Sequence, residues 1–171
     1  MTGGSAENSI AIAEPGCGLT VDDARAIVDA NRYMTLATAD AEGRPWASPV
    51  WFATHDYRRF LWVSRPEARH SLNIASRPEV AMVIFDSHVL PGLGVAVYMS
   101  ARAEQLDGNE AVRALEIFST EAVAQGLPAW SVDQIAPDAR HRIYCAWANE
   151  HYLLNDRDER VPIEFRATPP S

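Results

Sequence analysis

Residues 33–64 decide the fold, and they read YMTLATADAEGRPWASPVWFATHDYRRFLWVS. Apolar and polar side chains alternate along parts of this stretch, which is the pattern of half-buried strands. The connections at 40–45 and 55–59 are short and polar. Such connections favour hairpins over parallel crossovers. The stretch therefore predicts an antiparallel meander with strands at 33–38, 46–54 and 60–64.

The rest of the chain adds helices and strands around this meander. Thr20 can cap a helix that ends near Asn31, because Asp23 stands three residues after it. Residues 80–85 are continuously apolar, which predicts a strand buried on both faces. The other predicted elements are helices over 67–76 and 107–125, a loop or irregular helix over 126–139, a long strand ending near 106, and strands over 140–148, 150–155 and 161–165. This order indicates an α+β fold, mainly antiparallel β.

The length of 171 residues suits one domain. Residues 1–18 are small and polar without periodicity, which predicts a disordered leader. We expect a single domain over 19–166 and a flexible tail over 167–171. No segment resembles a secretory signal or a membrane span, and Cys17 and Cys145 lie in unlike settings. The expected location is the cytoplasm, without membrane contact.

The chain carries 23 acidic and 15 basic residues, and every base is arginine. The missing lysine excludes Schiff-base chemistry and a phosphate loop of the Gly-Lys-Ser/Thr type. A formal net charge of -8 argues against nucleic acid as a partner, since phosphate contacts need a basic face. The five histidines show no metal-ligand spacing, so no metal site is expected.

Although the chain as a whole is acidic, the segment 58–77 is basic, because it contains five arginines and one glutamate. A solvated charged face is one interpretation. The other is a phosphate site, because Arg69 and His70 stand near the start of a predicted helix that follows a strand end at Ser64. Helix starts present free N–H groups, and arginine matches phosphate oxygens.

A second chemical signal is the segment 48–52, Ser-Pro-Val-Trp-Phe, on a strand predicted to pair with 60–64. Barrel core is one interpretation of its apolar side chains. The other is a slot for a planar heteroaromatic ring, with backbone amides at the polar edge of that ring. One hairpin joins this slot to the phosphate site, so both can belong to one mononucleotide such as a flavin.

Five ordered segments carry a family resemblance: Leu36-Ala37-Thr38, Gly43 to Phe52, Leu61 to Ser64, Arg69-His70, and Arg77 to Ala81. Together they resemble the pyridoxamine 5'-phosphate oxidase-like family, over about residues 20–155. The resemblance implies a split β-barrel with flanking helices. It also implies a homodimer that binds flavin mononucleotide (FMN) at the dimer interface.

The resemblance implies FMN contacts at Ser48, Pro49, Val50, Trp51, Val63, Ser64, Arg69 and His70. The first four match the strand whose backbone edges the isoalloxazine ring. The next two match the family's pair beside the ribityl phosphate. The last two match its Arg-Lys phosphate pair.

The sequence departs from the family at several of these positions. His70 replaces a lysine, so its donor strength depends on pH. Ser48 and Ala53 stand where the family has an arginine and a lysine, and Val95 or Ala96 falls where the partner subunit donates a glutamine. The C-terminal Trp and Arg motifs that hold pyridoxal phosphate are also missing. Pyridoxamine phosphate is therefore not the expected substrate.

The resemblance implies an FMN-dependent oxidoreductase that acts on an unidentified small molecule by hydride transfer through flavin N5. No catalytic residue is assigned, since the flavin itself carries the hydride chemistry. One alternative on the same fold is a reductase dependent on the deazaflavin F420, for which Arg58 and Arg59 would supply extra basic residues. The other is a non-catalytic protein that binds flavin or haem.

Overall fold

The computed structural model of the protein describes residues 19–90, 94–155 and 157–165. The predicted leader and tail lie outside the described residues, and the single domain stays a prediction. The helices are α1 Val21–Ala30, α2 Arg69–Ser76 and α3 Gly108–Ala124, with a 3₁₀ turn at Val132–Ile135. The strands are β1 Tyr33–Ala39, β2 Pro45–Trp51, β3 Ala53–Thr54, β4 Arg59–Ser64, β5 Glu79–Phe85, β6 Ala96–Gln105, β7 Arg142–Leu154 and β8 Arg160–Ile163.

Local sequence signals place the first helix correctly. The Thr20 backbone N–H donates to Asp23 Oδ2 at 2.6 Å, and the Asp23 backbone N–H donates to Thr20 Oγ1 at 3.3 Å. Each side chain thus satisfies an amide that has no partner inside the helix. The predicted capping box is confirmed.

The strands form one antiparallel sheet in the order β2-β1-β5-β6-β7-β4-β3, and β8 pairs with the last residues of β7, beyond the part of that strand that pairs with β4. The sheet curls so that β2 and β4 approach each other, but they are not paired through their backbones. The architecture is an α+β split barrel with an opening between these two strands. Among the described residues, no helix is long and apolar enough to cross a membrane.

Two cores hold this sheet in place. The inward face of the barrel is filled by residues such as Leu36, Trp62 and Ile84, all with no exposed surface. On the other face of β4 and β7, Leu61 and Cys145 pack beneath α3. Because β4 is covered on both faces, its sequence is apolar at consecutive positions rather than at alternate ones.

The predicted strand over 46–54 is two strands in the structure. Phe52 interrupts it, with its side chain buried and its backbone N–H donated to the Arg32 carbonyl oxygen at 3.4 Å. Before this break β2 pairs with β1, and after it β3 pairs with β4. The prediction that 48–52 pairs with 60–64 is therefore wrong, because the chain changes partner strands at the barrel corner.

Three smaller predictions also need correction. β5 is not buried on both faces: its burial alternates, and Phe85 is 47% exposed. The two strands predicted over 140–155 are one strand, β7, which absorbs Asn149 as a bulge opposite Ser100 and Ala101. Helix α2 begins at Arg69, later than predicted, because a turn closed by the Ala68 N–H and the Arg65 carbonyl precedes it.

Candidate functional site

The opening between β2 and β4 is bridged by one side chain, His70. Its Nδ1 lies 3.2 Å from Ser48 Oγ on β2, and its Nε2 lies 2.8 Å from Ser64 Oγ on β4. Because β2 and β4 share no backbone ladder, these hydrogen bonds form a direct polar link between their edges. The structure thus brings together three of the predicted site residues.

The start of α2 explains how His70 reaches this position. β4 ends at Ser64, and after one turn α2 begins at Arg69 with Ala68 as its N-cap. Alanine has no side-chain acceptor, and the first turn contains no acidic residue. The first amides of α2 therefore lack a side-chain cap and carry the partial positive charge of a helix start.

Arg69 adds a guanidinium to this opening. Its Cζ lies 4.5 Å from the centroid of the Trp46 ring, a cation–π contact at the surface. The Trp46 indole N–H in turn donates to Ser48 Oγ at 3.1 Å. Sequence reasoning did not select Trp46 as a site residue. The available signal was its spacing of two residues from Ser48, which places both side chains on one strand face.

Burial lowers the pKa of His70 below its ordinary value of 6.5. The imidazole is therefore neutral at neutral pH, with one ring nitrogen donating and the other accepting. Both hydroxyls can serve either role, so the bridge persists in either tautomer. Protonation would turn both ring nitrogens into donors, which is the state that an anion favours.

The other predicted residues fall elsewhere. Val50 lies in the barrel core, and Val63 packs with the cluster beneath α3. The Trp51 ring packs edge-on against Phe118 of α3, with ring centroids 4.6 Å apart. Their side chains are structural, so β2 offers a ligand at the opening the side chains of Ser48 and Trp46 and the strand backbone. Pro49 is exposed, and because it follows Ser48 in the strand its side chain points to the opposite face.

Trp51 also anchors the end of β2 to α3. Its indole N–H donates to Gln125 Oε1 at 3.0 Å, and Gln125 Nε2 donates to Glu121 Oε1 at 2.7 Å. Sequence analysis did not identify this chain of contacts, because 74 residues separate Trp51 from Gln125.

A family model described as pyridoxamine 5'-phosphate oxidase matches residues 20–144. The chain belongs to this family. Among curated relatives, the pyridoxine/pyridoxamine 5'-phosphate oxidase of Bordetella petrii is 29% identical over 137 residues, which cover 80% of this chain and 57% of the relative. The chain thus spans little more than half the length of the relatives that it matches.

Two solved structures show the same fold with different ligands in their names. A heme binding protein from Mycobacterium smegmatis aligns with a TM-score of 0.63 and 21% identity, over 81% of this chain and 55% of that one. A FAD-binding protein from Mesorhizobium loti aligns with a TM-score of 0.55 and 18% identity, over 79% of this chain and 92% of that one. At these identities the likeness concerns the fold alone.

The opening of this pyridoxamine 5'-phosphate oxidase family member has the donors that a phosphate monoester needs. Ser64, Arg69, His70 and the uncapped start of α2 all lie within one short segment. β2 is an end strand of the sheet, and none of the described strands pairs with its edge toward β4. The residues present fit a ligand with a phosphate and a ring that has a polar edge.

Proposed function

We propose that this chain binds FMN at the opening between β2 and β4 and acts as an oxidoreductase on a small molecule. The observation that carries the proposal is the meeting of Ser48, Ser64 and His70 beside an uncapped helix start. Family membership supports the flavin, and the hydroxyl, guanidinium and amide donors support its phosphate.

Each residue has a defined task in this proposal. Ser64, Arg69 and His70 hold the phosphate, while the backbone of β2 from Ser48 to Trp51 edges the ring. Both ring nitrogens of His70 are bonded to serine hydroxyls, so a phosphate would replace at least one of these hydrogen bonds and would favour the charged imidazole, in which both nitrogens donate. When bound, the flavin supplies hydride transfer at N5, and the protein supplies its position and electrostatic environment. No side chain is assigned as a catalytic acid or base.

We also propose that a second copy of the chain covers the outer face of β1 and β5. This face exposes Tyr33 and Phe85, which the register of β1 and β5 places side by side, and the smaller pair Ala37 and Ala81 lies four residues away along the two strands. An uncovered apolar sheet face of this kind is typical of an interface. Light scattering should give twice the chain mass, and Ala81→Arg should give monomers because it places a charge in that interface. A monomeric wild-type protein would contradict the proposal.

The test of FMN binding compares two arginines of one segment. Purified protein should be yellow, and Arg69→Ala should weaken FMN binding by about 1.5–3 kcal/mol, the range for a charge-assisted hydrogen bond. Arg65→Ala is the matched control, because Arg65 is exposed and lies outside the described site contacts. A colourless protein without affinity for FMN, or equal losses in both variants, would refute the assignment. Parallel titration with F420 tests the deazaflavin alternative.

The second candidate is a carrier that binds haem without turnover. The Mycobacterium smegmatis heme binding protein supports it through the shared fold, and His88 supports it through its geometry. His88 Nδ1 lies 3.1 Å from Asp86 Oδ1 and the His88 side chain is 93% exposed, which makes Nε2 a candidate iron ligand. A Soret band on haem titration that disappears in His88→Ala would favour this function. Turnover of bound FMN with NAD(P)H would favour the oxidoreductase.

A further inference from the structure

A cavity of about 410 Å³ lies between α3 and the outer face of β4 and β7. It is at the other end of β4 from the opening: this strand begins with Arg59 beside the cavity and ends with Ser64 beside His70. None of the residues assigned to FMN lines it. The cavity is therefore distinct from the proposed flavin site.

The floor of this cavity is apolar. It is formed by buried residues that include Leu61, Leu106 and Cys145. Burial raises the pKa of the Cys145 thiol to about 12, so the thiol stays neutral at every physiological pH. The floor therefore suits a hydrocarbon or aromatic surface rather than a charged group.

One wall is the side chain of Trp147, which is 42% exposed on β7 although it lies next to a buried core. Arginines stand opposite it in register on both neighbouring strands: Arg59 on β4 and Arg102 on β6. Arg59 Cζ lies 5.3 Å from the centroid of the indole ring. This contact restrains the indole ring, and Trp147 is one of the residues that line the cavity, so its planar ring is part of the cavity wall.

Charged groups of both signs surround the cavity. Among the described residues, Arg59, Arg113, His55 and Glu110 line it, and the carboxylates of Asp56 and Glu104 are close enough to raise the pKa of the Cys145 thiol in its floor. The positive charge of Arg59 is compensated by the carboxylate of Asp56, because Arg59 Nε lies 3.2 Å from Asp56 Oδ2. Arg113 forms no ion pair within 4 Å among the described residues, but Glu110 lines the same cavity three positions before it on α3, so an anionic ligand would meet Arg113 in competition with that carboxylate.

We propose that this cavity is a second ligand site for a small planar aromatic molecule that carries a carboxylate or a phosphate. The ring would lie on Trp147 above the apolar floor, and the anionic group would meet Arg113 with His55 beside it. An apolar pocket with a few convergent polar groups is the usual form of a small-molecule site. Neither FMN nor a second copy of the chain is required for it.

The probe for this site is 2-naphthoate, with the neutral 2-naphthamide as its matched analogue. Titration calorimetry of the FMN-free protein should show saturable binding of naphthoate and at least tenfold weaker binding of the amide. Arg113→Gln should weaken naphthoate binding roughly tenfold or more, because it removes the charge-assisted hydrogen bond. Trp147→Leu should weaken naphthoate and naphthamide alike, since it removes the planar surface that both share.

Arg140→Gln is the control variant, because Arg140 is also exposed and does not line the cavity. It should bind naphthoate as the wild-type protein does, and thermal melts should show that all three variants are folded. Repeating the titration with FMN present should leave the naphthoate affinity unchanged, which separates this proposal from the flavin site. Absence of naphthoate binding at millimolar concentration, equal affinity for the amide, or equal loss in Arg113→Gln and Arg140→Gln would overturn it.

Discussion

Two seams of the barrel are held together in opposite ways. Between β6 and β7 the backbones pair from Val97 opposite Leu153 to Gln105 opposite Tyr144, with one bulge. Between β2 and β4 there is no ladder, and the imidazole of His70 spans the opening. The first seam depends on backbone groups that every non-proline residue has, whereas the second depends on one titratable side chain. The opening can therefore respond to pH and to an anion, while the laddered wall cannot.

The largest effect is expected in the wall, at Trp62. This side chain is fully buried and stacks on Tyr144 with ring centroids 5.7 Å apart. Trp62→Ala should lower the free energy of unfolding by about 3–5 kcal/mol, the cost of a large cavity in a core, as measured by urea denaturation. Trp62→Phe should cost clearly less, because the indole N–H has no hydrogen-bond partner among the described residues. Equal losses in both variants would contradict this packing argument.

At the opening the expected effect is smaller. His70→Ala should lower the free energy of unfolding by about 1–2 kcal/mol, because two hydrogen bonds of roughly 0.5–1.5 kcal/mol each are lost and the freed hydroxyls are in partial contact with water. His88→Ala is the control: its side chain is 93% exposed, so the change should stay within about 0.5 kcal/mol. If the two variants were equally stable, His70 would not hold the opening closed.

Cofactor affinity should change with pH in a way that identifies His70. Lowering the pH from 8 to 6 protonates more of the imidazole, which strengthens its donation to a phosphate. In His70→Gln the pH dependence of FMN affinity comes only from the titration of the phosphate itself, which occurs near pH 6. The wild-type protein should therefore gain FMN affinity relative to His70→Gln as the pH falls, by less than about 1.4 kcal/mol per pH unit. Parallel pH profiles of the two proteins would place the phosphate away from His70.

The smallest effect concerns the cofactor-free protein. Burial places the pKa of His70 below its ordinary 6.5, so the unfolded chain takes up a proton at a higher pH than the folded one does. Stability is then unaffected above pH 6.5 and falls as the pH decreases from 6.5 toward the folded pKa. The stability of His70→Gln should therefore fall less steeply with decreasing pH than that of the wild-type protein. Burial also lowers the pKa of His151, but this residue is present in both proteins and contributes equally to the fall in each. Urea denaturation at pH 5.5, 6.5 and 7.5 measures the difference.

Much of the fold could be predicted because its signals are local. The capping box of Thr20 and Asp23, the hairpin at 55–59 and the helix α3 each depend on residues close in sequence. The break at Phe52 could not be predicted, since the residues on both sides of it are strand formers. What separates them is the choice of partner strand, and that choice depends on how the whole sheet closes.

The candidate site was predictable to a similar degree. Ser64, Arg69 and His70 are neighbours in the chain, so a strand end followed by a helix start already indicated them. Ser48 was selected as part of the segment 48–52 and then matched through the family resemblance, but only the curl of the sheet brings it to His70. Gln125 and the cavity beneath α3 left no local signal, because their contacts join segments that are far apart in sequence.

The sequence by itself determined the strand periodicity, the cap of α1, the acidic net charge and the short arginine-bearing segment after β4, because each arises from neighbouring residues or from composition alone. Only the tertiary structure decided that β2 and β4 stay unpaired, that His70 spans their opening, and that Trp147 and Arg113 line one cavity beneath α3. These features depend on contacts between residues distant in the chain, and such contacts arise from the closure of the barrel as a whole.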